Sequence, residues 1–131
     1  MAKTAYLALA TETIHPGHLK IIKRASSLGK VVVGILTDEA IVSYKQLPNL
    51  SFEDRCEIAR SIIGVDLIVP QETLDYSNNL KKYKPEYLIH GDDWRTGLQS
   101  KVREKAINTL KEWGGELIEI PYSNEYVNNL S

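Results

Sequence analysis

Three histidines are the first residues in this chain with the means to do chemistry. His15 and His18 sit three apart in the run His15-Pro16-Gly17-His18, directly after a short apolar segment, and His90 opens the run His90-Gly91-Asp92-Asp93-Trp94-Arg95 after another. In the first run Pro16 suits the opening turn of a helix, Gly17 lets a ligand approach the backbone, and the free N–H groups of a helix start attract anions. A phosphate fits there. Imidazoles beside it can donate hydrogen bonds to charge developing on a transferring phosphoryl group, the positioned stabilisation that phosphoryl transfer mainly requires. The plainer alternative is two polar residues on a solvated helix start. Two histidines three apart also share a helix face, and Asp92 or Asp93 would extend them to a metal set, but the glycine and the helix terminus fit an anion better than zinc.

The second run sets adjacent carboxylates, suited to divalent-metal or ribose-hydroxyl contacts, beside Trp94, whose flat face can take a base or a cationic head group. Its alternative is a polar turn with a buried tryptophan. Lys45 lies near the middle of a connection from Thr37 to Leu50 that is long for a compact domain, and such loops often close over substrates. A solvated surface lysine is the commoner state. Arg55 can form a bidentate contact with a phosphate or phosphonate, or else a surface salt bridge with Glu53 or Glu57. Asp38 and Glu39 read as a helix-start or turn pair before they read as catalytic acids.

These residues need a frame that brings distant runs together, and the hydrophobic pattern supplies one. Tyr6 to Ala10 reads as a strand, followed by a helix marked by Leu19, Ile22, Ala25 and Leu28 and stopped at Gly29. Val31 to Leu36 is apolar without alternation, as in a strand covered on both faces. Ser51, with Asp54 three residues on, starts a helix that buries Phe52, Cys56, Ala59 and Ile62 or Ile63. Leu67 to Val69 is a third strand, ended by Pro70, and Asn78 to Tyr83 a short helix. Tyr87 to Ile89 is the fourth strand. Val102, Ala106, Leu110 and Trp113 line a long helix that Gly114 and Gly115 stop in left-handed conformation, and Leu117 to Ile120 is the fifth strand. Apolar strands alternating with helices imply an α/β fold with a parallel sheet, whose ligands bind beyond the C-terminal strand ends where strand order reverses. If the first and fourth strands are neighbours there, all three imidazoles meet in one crevice.

At 131 residues the chain allows one domain, read as residues 1–131, and its composition is that of a soluble globular protein. Sixteen Lys and Arg against seventeen Asp and Glu leave no overall field to attract nucleic acid or an anionic membrane, so any phosphate site is local. No apolar run approaches a membrane span and no signal-peptide profile opens the chain, which together predict a cytoplasmic protein. The lone Cys56 excludes an internal disulfide and reads as a small buried hydrophobe.

His15-Pro16-Gly17-His18, Thr37-Asp38-Glu39, Lys45, Ser51 to Arg55 and Gly91-Asp92-Asp93-Trp94 together resemble the cytidylyltransferases of the HxGH nucleotidyltransferase superfamily, typified by glycerol-3-phosphate cytidylyltransferase. Leu36 to Ala40, Val69 to Tyr76 and Glu112 to Leu117 are most similar to a subgroup associated with phosphonate metabolism and phosphoenolpyruvate phosphomutase. The resemblance implies a Rossmann-like, doubly wound five-stranded sheet in order 3-2-1-4-5, a homodimer, and transfer of CMP from CTP, with Mg2+, to a small phosphonate or phosphate such as 2-aminoethylphosphonate. By it His15 and His18 contact the phosphates in the transition state, and Lys45 and Arg55 hold phosphate or acceptor. Leu9, Ala10, Thr11, Gly17, Asp38, His90, Gly91, Asp92, Asp93 and Trp94 bind nucleotide or acceptor.

Two stretches depart from the family pattern. Leu9-Ala10-Thr11-Glu12 stands where Gly-Thr-Phe-Asp is usual, leaving Thr11 or Thr13 to supply the phosphate-binding hydroxyl. After the fifth strand, Glu125-Tyr126-Val127-Asn128-Asn129 replaces Gly-Ile-Ser-Ser/Thr-Thr, which removes hydroxyl donors and predicts weak CTP binding. Two alternatives therefore stay open: a non-catalytic nucleotide-binding domain of a longer protein, and an adenylyltransferase of the same superfamily.

Overall fold

The computed structural model describes residues 3–11, 14, 16–97 and 99–121. Its elements alternate as β1 (Thr4–Leu9), α1 (Pro16–Leu28), β2 (Lys30–Leu36), α2 (Asp38–Val42), α3 (Phe52–Arg60), β3 (Leu67–Gln71), α4 (Ser77–Tyr83), β4 (Tyr87–Gly91), α5 (Ser100–Leu110) and β5 (Glu116–Ile120). The strands form one parallel sheet in the order β3-β2-β1-β4-β5. Strand order reverses between β1 and β4, as the sequence reading requires.

Strand side chains alternate between two cores because successive Cβ atoms point to opposite faces. Ala5, Leu7, Leu9, Val31, Val33 and Ile35 pack with Ile21, Ile22 and Ala25 of α1 and Ala59 of α3. Tyr6, Val32, Val69 and Leu88 pack on the other face with Leu80 of α4 and with Ala106 and Leu110 of α5. Gly34 is fixed by this packing, since a Cβ there would stand 2.0 Å from the Tyr6 hydroxyl. Ser51 caps α3, its hydroxyl accepting from the Asp54 N–H at 3.1 Å, and Gly114 takes the left-handed stop after α5 at φ 76°. Gly115 does not share that conformation.

Two element boundaries differ from expectation. The connection from Thr37 to Leu50 is not loop throughout: Thr37 caps a short helix, α2, by accepting from the Ala40 N–H at 3.3 Å. Its apolar pair, Ala40 and Ile41, is too brief to show periodicity, yet both are buried against Leu36. Pro70 does not end β3 either, because this is an edge strand where a missing N–H costs no ladder bond, and the strand runs on to Gln71. Cys56 is partly exposed rather than buried, and desolvation pushes its thiol pKa up, against a nucleophilic role. Among the described residues no helix is long and apolar enough to cross a membrane.

Candidate active site

A cavity of about 330 Å³ opens where β1 and β4 diverge, at their C-terminal ends. Its floor is Leu7 to Leu9 of β1 and Ala10 just beyond it, together with Ile89, His90 and Gly91 of β4. His18 and Ile21 of α1 form one wall, Tyr44 and Lys45 after α2 another, and Gln71, Leu74 and Tyr76 after β3 a third. Asp93 and Gln99 complete the rim. Of the residues expected at the site, His18, Lys45, Leu9, Ala10, His90, Gly91 and Asp93 line this one cavity. Two of the three histidines therefore meet in the crevice, as the strand order predicts, while His15 lies outside the described residues.

The other expected residues stand behind the lining. Thr11 is buried in left-handed conformation at φ 62°, and its hydroxyl donates to the Arg55 carbonyl at 2.8 Å, so that proton is not available to a phosphate. Thr13 and the segment Glu125 to Asn129 lie outside the described residues. Arg55 is fully buried and does not line the cavity. Its guanidinium donates to the carbonyls of Ala10 at 3.0 Å and Leu36 at 2.6 Å and to Asp38 Oδ1 at 2.7 Å. The salt-bridge partner is thus Asp38 rather than Glu53 or Glu57, and the pair ties the ends of β1 and β2 to the first turn of α2. Asp38 and Glu39 do open a helix, where carboxylates are favoured. Gly17 sits in the first turn of α1 and Asp92 opens a single 3-10 turn with Asp93 and Trp94.

Trp94 is the clearest correction. It is only 1% exposed, and its face is covered by the His90 imidazole, with ring centroids 3.5 Å apart and planes 2° from parallel. A base cannot stack on a face already occupied. The buried tryptophan of a polar turn is the reading that holds, and the ring that reaches the cavity is His90.

His90 is held on three sides. Its Nδ1 lies 2.7 Å from the Gly91 carbonyl, which can only accept, so the proton of a neutral ring sits on Nδ1 and Nε2 is left as an acceptor. Tyr76 packs edge-on against both His90 and Trp94, and Asp93 Oδ1 stands 3.7 Å from Nδ1. Burial lowers the His90 pKa from its ordinary value, against the opposing pull of Gly91, Asp93 and Glu119, so the ring is neutral at pH 7.

Tyr44, Gln71, Leu74, Tyr76 and Gln99 also line the cavity, although the sequence reading does not place them there. Gln71 is 2% exposed: its Oε1 accepts from the Tyr6 hydroxyl at 2.6 Å and its Nε2 donates to the Thr73 carbonyl at 3.1 Å. Asn79 donates to the same Tyr6 oxygen at 2.8 Å, and burial in this network raises the Tyr6 pKa. The signal for Gln71 was its place one residue past Pro70, where a strand reading that stops at the proline cannot see it.

Chemically, the cavity brings a lysine and a histidine at a helix start opposite a carboxylate and a neutral imidazole, with apolar side chains between them. Solved structures of similar shape include the lipopolysaccharide core biosynthesis protein from Thermoplasma volcanium GSS1, with TM-score 0.75, 16% identity and coverage of 94% of this chain and 98% of that one. Pantoate-beta-alanine ligase from Francisella tularensis superposes with TM-score 0.60 at 17% identity, covering 93% and 60%. Both likenesses speak to fold. By sequence, the chain is 36% identical over 84 residues to a probable ethanolamine-phosphate cytidylyltransferase of Schizosaccharomyces pombe, covering 63% of this chain and 23% of the relative. It is 29% identical over 86 residues to glycerol-3-phosphate cytidylyltransferase of Bacillus spizizenii, covering 64% and 67%, and 27% identical over 123 residues to FAD synthase of Methanosarcina mazei, covering 93% and 80%. The match thus spans under a quarter of the ethanolamine-phosphate enzyme's length. A family profile described as cytidylyltransferase-like covers residues 12–128, which takes in four of the five strands and every wall of the cavity, and the chain belongs to that cytidylyltransferase-like family.

Proposed function

We propose that this cavity transfers CMP from CTP to a phosphate or phosphonate oxygen of a small acceptor, releasing pyrophosphate. The observation that carries the reading is the meeting of His18, from the first turns of α1, with His90 and Asp93, from the end of β4, in one cavity of a cytidylyltransferase-like chain. An acceptor oxygen forms a bond to the α-phosphorus as the bond to the bridging oxygen breaks, and pyrophosphate leaves with that electron pair. No covalent intermediate is needed. His18 and the N–H groups at the start of α1 stabilise charge building on the phosphates, and Lys45 approaches from the opposite wall. His15 joins His18 in this role by the resemblance.

Magnesium takes oxygen ligands, usually several from phosphates and one or two from carboxylates. Asp93, exposed on the cavity rim with Asp92 beside it, is a donor of that kind and fits an ion arriving with the triphosphate. When bound, the ion would neutralise phosphate charge. Relatives named for ethanolamine phosphate and glycerol 3-phosphate support an acceptor with a phosphate oxygen. The choice of a phosphonate such as 2-aminoethylphosphonate is supported by the three sequence stretches noted above, and the homodimer belongs to the same proposal.

A second reading, adenylyl transfer, is favoured by one specific observation: the FAD synthase of Methanosarcina mazei aligns over 93% of this chain. Pyrophosphate release, with CTP or ATP against a panel of ethanolamine phosphate, 2-aminoethylphosphonate, glycerol 3-phosphate and FMN, separates the two. Release only with CTP and a phosphate or phosphonate is the expected result. Release only with ATP and FMN would replace the proposal with the second reading, and CTP binding without release from any acceptor would make this a nucleotide-binding domain.

A further inference from the structure

Glu119 lies on β5, outside the cavity, and is the most heavily bonded carboxylate among the described residues. Its Oε1 accepts from Arg95 Nε at 3.1 Å and Arg103 NH2 at 3.0 Å, and its Oε2 accepts from Arg103 Nε at 3.1 Å and Trp94 Nε1 at 2.9 Å. Its side chain is 8% exposed. Two arginines on one carboxylate exceed what a surface ion pair would need, and the fourth bond goes to an indole. That indole carries the stacked His90 ring on its face. The chain of contact therefore runs from an edge strand, through a buried tryptophan, to a cavity-lining imidazole.

We propose that Glu119 is a positioning residue for the cavity: it anchors the Trp94 indole through the N–H, and the anchored indole sets the plane in which His90 meets a ligand. Three observations favour this over a role in stability alone. The Trp94 N–H has Glu119 as its hydrogen-bond acceptor, so the indole's rotation about its own plane is fixed from β5. His90 is in parallel contact with that indole and bonded to Gly91, so any tilt of Trp94 must either move the imidazole or open the stack. Tyr76, itself a cavity-lining residue, closes the other side of both rings edge-on, at 6.3 Å from His90 and 5.7 Å from Trp94.

The inference that the held ring serves a substrate rests on the proposed cytidylyl transfer, but the positioning itself does not, and the test separates them. Proton NMR of the full chain reads the His90 ring directly, with His90→Asn assigning its signals among the three histidines. A ring lying flat on an indole is shifted upfield by the ring current. The parent should show one histidine shifted in this way. Glu119→Ala should abolish most of that upfield shift, and Glu119→Gln, which keeps an acceptor for the indole N–H, should retain most of it. Trp94→Phe keeps an aromatic face and all of Glu119's charge while deleting the N–H, so it should release His90 and lose most of the upfield shift as Glu119→Ala does. It also serves if Glu119→Ala does not fold. A His90 signal with unchanged ring-current shift in Glu119→Ala or in Trp94→Phe overturns the positioning role. In the pyrophosphate assay, Glu119→Ala should lower kcat/KM ~10-fold, with Glu119→Gln recovering most of it. Parent protein inactive with CTP, alongside the predicted NMR behaviour, would refute the proposed reaction and leave the positioning intact.

Discussion

Two sides of the cavity are braced by opposite charges in opposite settings. On the β1–β2 side a fully buried cation, Arg55, is enclosed by the carbonyls of Ala10 and Leu36 and one half-exposed carboxylate, Asp38. On the β4–β5 side a nearly buried carboxylate, Glu119, is enclosed by two partly exposed cations and an indole. The difference is one of redundancy. If one arginine leaves Glu119 the other remains, whereas removing Arg55 leaves two strand-end carbonyls and Asp38 without their donor. The first brace is therefore the brittle one, and the second is tunable.

The largest expected effect follows from that brittleness. Arg55→Ala should cost about 3 to 5 kcal/mol in urea unfolding, because it takes a fully buried donor from two strand-end carbonyls and the Asp38 carboxylate. A loss below about 1 kcal/mol would mean that the carbonyls find other partners and the brace is not what fixes the two strand ends.

Next in size is a test inside the cavity, where the account assigns His18 to the transition state. His18→Ala should lower turnover ~100-fold while leaving CTP affinity within a few-fold, since only an interaction that strengthens during reaction acts on turnover preferentially. Weaker CTP binding at unchanged turnover would make His18 a ground-state ligand instead.

The tunable brace has its own signature in pH. The Arg103 hydrogen bond, opposed by desolvation and aided by Arg95 and Trp94, lowers the Glu119 pKa to about 2. A carboxyl with a depressed folded value contributes stability that is present above its unfolded value and is lost as pH falls through the folded one. Unfolding followed from pH 6 to pH 2 should therefore show a component on the order of 1 to 2 kcal/mol that Glu119→Gln removes, discounted from the full shift because the arginines are partly solvated. Parallel pH profiles for parent and variant would show that Glu119 adds no such linkage.

A milder loss is expected at the wall that Tyr44 and Lys45 form. Lys45→Ala should reduce kcat/KM by ~10-fold, the worth of one solvent-exposed cation near a phosphate, and amide exchange across residues 43–50 should slow when CTP and acceptor are both present. Unchanged exchange would argue that this segment is already set by its bonds to α2, where the Tyr44 and Lys45 N–H groups both reach the Ile41 carbonyl.

How much of this was legible beforehand follows from the range of the forces involved. The alternation of strands and helices rests on apolar runs and helix stops, which are local and readable, whereas the strand order that brings His18 to His90 is non-local and is implied only by the family resemblance. Arg55 was misassigned because its partner, Asp38, is 17 residues away and belongs to a five-residue helix with no visible period. Trp94 was misassigned for the same reason: its hydrogen bond goes to a strand 25 residues on, and nothing near it in sequence says that its face is taken by the histidine four residues before. Side chains that look like ligands in a motif became braces once distant partners were added.

Calorimetric titration of CTP and of ATP into the same protein, with magnesium present throughout, asks whether the cavity is built for a cytidine nucleotide, as proposed. CTP should bind more tightly than ATP, and His18→Ala should leave that preference in place. Equal affinities, or tighter binding of ATP, would contradict it.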